Sequence, residues 1–177
     1  MKKVVLFNFL MIFFTQYLAF SQQELDAKLL MERFKEENSQ VLDARIKLGE
    51  AIIKHLEDQG DYAQIERLKN IYRLATEYHN FCEGEQRALF MYIYIKDEMK
   101  VFISAYLRDL LQKNKKELEI SLKNISNYSQ DLKDKNDLVV VTNLQNSIVG
   151  SQEVISQLIE FYSSENAKYK EKKKYFE

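Results

Sequence analysis

Two histidines and one cysteine set the limits of the chemistry open to this 177-residue chain. His79 and Cys82 stand three residues apart, so a helix would place them on one face with Glu83 alongside. Imidazole and thiolate together are ligands for zinc or copper, but a complete site needs more ligands than this pair supplies. The alternative is a histidine near a helix end beside a buried cysteine. Di-iron bundles carry Glu-x-x-His on two facing helices, and no Glu stands three residues before His55 or His79. Haem attachment through Cys-x-x-Cys-His requires a second cysteine. As a nucleophile Cys82 would need a base, and His79 is the near candidate, with no third group to orient it. Ser151 follows Gly150 without the second glycine of a nucleophile elbow. No glycine-rich loop is present to cradle a phosphate. The carboxylate pairs Glu36-Glu37 and Asp97-Glu98 read as solvated charge on polar helix faces. The expectation is a non-enzyme with no cofactor and no metal.

The elements that would position these residues are helices. Hydrophobic residues make up 46 % of the chain, enough for a core, while proline is absent and glycine occurs four times. Sheet proteins need turn residues at each hairpin, so an all-β fold is excluded on composition. One cysteine gives no intrachain disulfide framework and no Cys-built zinc site. A formal net charge of −1 argues against a nucleic-acid partner.

The first 21 residues have the layout of a secretory signal peptide. Lys2 and Lys3 precede an uncharged, largely apolar run from Val4 to Phe20, and Ala19-Phe20-Ser21 puts small residues at the −3 and −1 positions. Cleavage after Ser21 would leave Gln22 as the mature N-terminus. The alternative is an uncleaved anchor, although the run is at the short edge of the roughly 20 residues that span a bilayer. The host is read as a bacterium and the destination as periplasmic or secreted.

Residues 22–177 read as one domain, an all-α elongated bundle of four or five long helices, partly coiled-coil, ending in a basic tail over residues 168–177. Leu42, Ile46, Gly49, Ile53 and Leu56 step by four and three in the manner of a coiled coil. Upstream, Ala27, Leu30, Phe34 and Val41 form another stretch of stripe. Gly60 stops this helix, and Asp61 with Gln64 forms a capping box for the next. Ile65, Leu68, Tyr72, Ala75 and His79 carry that second helix, and Gly84 is the expected kink or break. Leu89 to Ile95 is apolar nearly all round. It is read as the start of a central helix whose stripe continues through Met99, Phe102, Tyr106 and Leu110, with a buried strand as the alternative. Asn114 and Glu117 are placed to cap a fresh helix. Asp134 to Asp137 is the next turn, and the last helix starts near Leu138.

Two segments point to interaction. Leu138 to Ala167 holds no basic residue and three acidic ones, so it is either enclosed by the other helices or supplies an interface. Leu144, Ser147, Ile148, Gly150, Ser151 and Ile155 are the candidate partner interface, self-association included. In the tail, Lys168, Lys170, Lys172, Lys173 and Lys174 alternate with Tyr169, Tyr175 and Phe176, a composition that suits an anionic surface. The other reading of the tail is a frayed helix end. Asn124 and Asn127 head Asn-x-Ser sequons, which matter only in a host that glycosylates them. Three functions stay open at this level. The first is an exported, non-catalytic protein that binds another protein as scaffold, chaperone-like clamp or secretion-system accessory. The second is a binder of a small apolar or amphipathic ligand in a cavity lined by Phe90 to Tyr106. The third is a membrane-surface protein acting through its tail.

Overall fold

Without proline, and with a glycine at one turn, the chain has few places to stop a helix, and it stops at three. The computed structural model describes the backbone of residues 2–174 and the side chains of residues 26–96, 99–100 and 102–167. Helix α1 runs Lys2–Glu57, α2 Tyr62–Tyr94, α3 Asp97–Ser129 and α4 Lys135–Lys174. Among the described residues there is no strand. Consecutive helices pack on one another, and α4 closes the ring against α1. Polar contacts fix the directions. Asn38 meets His79 and Arg33 meets Gln157, so α1 is antiparallel to both α2 and α4. A helix of 33 residues is about 50 Å long.

Each helix turns a strip of buried residues inward at steps of three and four. In α2 it comprises Gln64, Leu68, Ile71, Ala75, Tyr78, Cys82, Glu85, Leu89 and Tyr92. In α1 it includes Ala27, Phe34, Val41, Ala44 and Leu48, and in α4 Val141, Leu144, Ile148, Ser151, Ile155, Leu158 and Tyr162. The expected stripe of α1 is therefore corrected. The core strip is the one begun by Ala27 and Phe34, whereas Ile46, Ile53 and Leu56 lie outside.

Three other expectations are corrected. Gly84 does not break α2, and the space where its side chain would stand is open. Asn114 and Glu117 do not start a helix, because α3 is continuous through them. The apolar run at residues 89–95 is the end of α2 rather than the start of a central helix. Leu89 and Tyr92 are buried, but Phe90, Met91 and Tyr94 are exposed, and Phe102 keeps 77 % of its surface in water. The physical reason is the link itself. Ile95 and Lys96 leave helical geometry, with ψ of 154° and 142°, and that reverses the chain.

The other two turns share the opposite end. Gln59 takes the left-handed conformation at φ 52°, and the Gly60 amide donates to the His55 carbonyl at 2.7 Å. Gly60 is needed there for closeness, since a Cβ would stand 3.0 Å from that same oxygen. Asp61 caps α2 by accepting from the Ala63 amide at 2.9 Å. Asp134 does the same for α4, accepting from Asn136 at 2.7 Å.

Candidate functional site

The His79 and Cys82 side chains part company inside the bundle. His79 Nδ1 lies 2.8 Å from Asn38 Oδ1 on α1, and burial, then Arg45, holds the imidazole below its ordinary pKa. Cys82 is fully buried beside Tyr78, and burial pushes its thiol up to about 12. A thiol held neutral and away from water is disfavoured as the thiolate that nucleophilic attack or metal binding uses.

Three potential metal ligands of the kind a divalent ion uses meet elsewhere among the described residues, at the two-turn end. His55, Asp134 and Asp137 bring their ligand atoms within 4.8 Å of one another. Each is already engaged. His55 Nε2 stands 2.7 Å from Asp137 Oδ2, and Asp134 Oδ1 caps α4. Sequence reasoning missed this group because His55 and Asp137 are 82 residues apart. No local spacing signals such a pair. The acidic turn at residues 134–137 was the one available hint.

All six residues of the candidate partner interface face inward or touch α1. Leu144, Ile148, Ser151 and Ile155 are in the core, and Ser147 is buried as well. A Cβ on Gly150 would meet the Glu37 carboxylate of α1 within 3 Å. Tyr78 Oη from α2 reaches Ser151 Oγ and the Ile148 carbonyl, filling the seam where small residues let another chain segment approach. That seam is enclosed within one chain. The tail side chains Lys168, Lys170, Lys172, Lys173 and Lys174 lie outside the described residues, as do the side chains of the expected leader.

The interior also contains polar groups that the periodicity did not reveal. Tyr92 Oη donates to Glu165 Oε2 at 3.0 Å, with the Phe161 and Tyr162 rings edge-on to Tyr92. Glu85 occupies a core position on α2 with no hydrogen bond or ion pair. Burial alone pushes its carboxyl up to about 7.

Among the described residues two clusters of exposed apolar side chains stand out, besides scattered ones such as Leu29, Ile120 and Val139. One is the outer stripe of α1, where Ile46, Ile53 and Leu56 are exposed and Leu42 and Gly49 half-buried, bordered by Tyr72 of α2, whose ring lies against Gly49. The other surrounds the α2/α3 link, where Phe90, Met91, Tyr94, Met99, Phe102 and Tyr106 face water. These are the residues expected to line an internal cavity, and they lie on the outside. An open groove between α1 and α2 is lined by Met31, Lys35, Gln86, Phe90 and Met91 among others. Among the described residues no helix is long and apolar enough to cross a membrane.

Comparison with known proteins finds no family model that matches, no curated protein of similar sequence and no solved structure that matches. The functional reading rests on these surfaces alone.

Proposed function

We propose that the chain is an exported, non-catalytic helical scaffold that holds a partner protein by a helix laid along the outer stripe of α1. The observation that carries this is the duplication of stripes on one helix. The inner strip of α1 builds the bundle, and a second set at steps of four and three is left exposed. That spacing is the coiled-coil seam, so the surface matches another helix better than a flat sheet or a small molecule. Gly49, at the middle of the stripe, is covered by the Tyr72 ring, so a partner helix would rest on Ile46, Ile53 and Leu56. Asp43, Glu50 and Glu57 recur every seven residues along one edge and are exposed; Lys47 pairs with Asp43, so the acidic edge lies at Glu50 and Glu57, where a basic side chain of a partner helix fits.

Export is supported by the order Lys2-Lys3, Val4 to Phe20 and Ala19-Phe20-Ser21. The described core, from Ala27 onward, is built from residues that follow the expected cleavage point. Against catalysis stand the neutral thiol of Cys82, the paired His55 and the enclosed Ser151.

A photo-crosslinker at Ile46 or Ile53, introduced in the native host, tests the reading. One species should be captured whose cross-linked peptide is helical with heptad-spaced apolar residues. Ile46→Lys with Ile53→Lys should abolish that capture at unchanged helix content. Equal capture from Ile120, an exposed apolar residue on α3, would refute the stripe as the binding surface.

A further inference from the structure

We infer that the α2/α3 end of the bundle docks on an anionic lipid surface. Six large apolar side chains, Phe90, Met91, Tyr94, Met99, Phe102 and Tyr106, stand exposed around a two-residue link. A soluble protein rarely leaves such a cluster in water without a use for it. They occupy the last turns of α2 and the first turns of α3, within about 15 Å of the tip along the helix axes. An apolar face sinks about 5–10 Å into the bilayer interface, a depth that takes in Phe90, Met91, Tyr94, Met99 and Phe102 and leaves Tyr106 at its upper edge.

What covers this end is indicated by where the chain enters and leaves. Tyr92 donates to Glu165, so the C-terminal part of α4 lies level with the end of α2. Helix α4 continues to Lys174, which delivers Lys168, Lys170, Lys172, Lys173 and Lys174 to this end, with Tyr169 among them. Helix α1 is antiparallel to α2, and Gln86 donates to the Phe34 carbonyl, so residues before Asp26 also join the bundle here. The apolar run Val4 to Phe20 therefore enters the bundle at the same end. Kept as an anchor, that run would hold this end toward the membrane. Each lysine near an anionic surface adds about 1 kcal/mol of attraction. Lys96 and Lys100 flank the tip of the link. At the far end Arg67 pairs with Asp131 and Lys133 with Asp61, and the exposed apolar residues there, Ile53, Leu56 and Tyr62, have no basic tail beside them. The contact is on the surface rather than across the bilayer. It leaves the outer stripe of α1, which lies toward the two-turn end, free for a protein.

The chain has no tryptophan, so a single one reports position. Phe102→Trp and Tyr62→Trp place the probe at opposite ends of the full chain, both on exposed sites. Vesicles of phosphatidylcholine with phosphatidylglycerol should shift the Phe102→Trp emission to the blue, and bromine-labelled lipid should quench it several-fold more than the Tyr62→Trp emission. Replacing the five tail lysines by Gln should weaken binding of the Phe102→Trp chain at least tenfold, and raised salt should do the same. Met91→Ser with Tyr94→Ser should reduce quenching at unchanged helix content, and Ile53→Lys should not, which separates this inference from the protein-binding one. Equal quenching at both ends, or no blue shift until a protein is added, would overturn it. So would binding equally tight to vesicles of phosphatidylcholine alone.

Discussion

The two ends of the bundle are built on opposite plans. At the two-turn end, polar groups from both turns interlock. Gln64, the fourth residue of the expected capping box, spans to the other turn instead, donating to the Asp131 carbonyl at 3.0 Å and accepting from the Lys133 amide at 3.0 Å. His55 and Asp137 join α1 to α4 beside it. At the α2/α3 end two residues reverse the chain with no side-chain cap on α3, and apolar side chains surround the link. A closed polar network fixes the register of four helices. At the apolar end the buried Tyr92–Glu165 bond ties α2 to α4, while the side chains around the link stay outside the core. One end is held by polar contacts between turns, and the other leaves its link surrounded by exposed apolar surface.

The sharpest test of that division uses two neighbours at the contact end. Leu89 is fully buried and Phe90 is exposed. Leu89→Ala should cost about 2–5 kcal/mol of unfolding free energy. Phe90→Ala and Phe102→Ala should each stay within about 0.5 kcal/mol. Chemical denaturation of the three variants decides it. A large loss from Phe102→Ala would mean that α3 is turned about its axis from the orientation described.

The second effect is a pH dependence from the middle of the core. Glu85 ionises near 7 in the folded chain and near its ordinary, lower value when unfolded. Between those values the folded state holds the extra proton, so stability is highest at low pH and falls as pH rises toward 7, then levels off. The loss from this group is on the order of 3 kcal/mol, and it is complete above the folded value. Glu85→Gln should remove the slope and raise the melting temperature at pH 8. A melting temperature that falls from pH 5 to pH 7 as steeply in Glu85→Gln as in the wild type would show that other groups control it.

At the polar end, Asp137→Ala should cost about 1–3 kcal/mol, because it leaves the part-buried His55 without its acceptor. The change should leave vesicle binding by the opposite end intact. Calorimetry and the tryptophan assay on one sample would show whether the two ends are independent.

How much of this was legible in the sequence depends on which kind of information each feature uses. Helix content followed from composition, and the turns at Gly60 and near Asp134 followed from local capping chemistry. The turn at Ile95 and Lys96 did not, because it contains neither glycine nor proline and is forced by packing on either side. Phe102 looks like a core residue because aromatic residues at steps of three and four are what a core needs, and an exposed contact surface uses the same alphabet. Gly84 and Asn114 looked like breaks because propensity is weak against a continuous tertiary strip. Small residues at Ser147, Gly150 and Ser151 mark a seam that lets other side chains come close. Its neighbour is Glu37 and Tyr78 of the same chain. Contacts between residues 82 apart, such as His55 with Asp137, have no signature in a single sequence.

The smallest stability effect is the most informative about α1, which carries two stripes of similar apolar character. Leu48 of the inner strip is fully buried, and Ile53 of the outer stripe keeps 57 % of its surface in water. A lysine at position 48 would bring an unpaired charge into the core and should prevent cooperative folding. A lysine at position 53 meets water with its ammonium and lays its methylenes along the helix, so unfolding should change by less than about 0.5 kcal/mol. The sequence assigns the outer residues the better coiled-coil spacing, yet the bundle is built on the inner ones. If Ile53→Lys destabilised the isolated chain as strongly as a core substitution, the outer stripe would have to be covered within the monomer or by a second copy. Sedimentation of the wild type over a hundredfold concentration range tells those apart. A neutral effect in a monomer leaves Ile46, Ile53 and Leu56 as apolar surface that contributes nothing to folding, and a partner helix is then the remaining physical reason for their spacing.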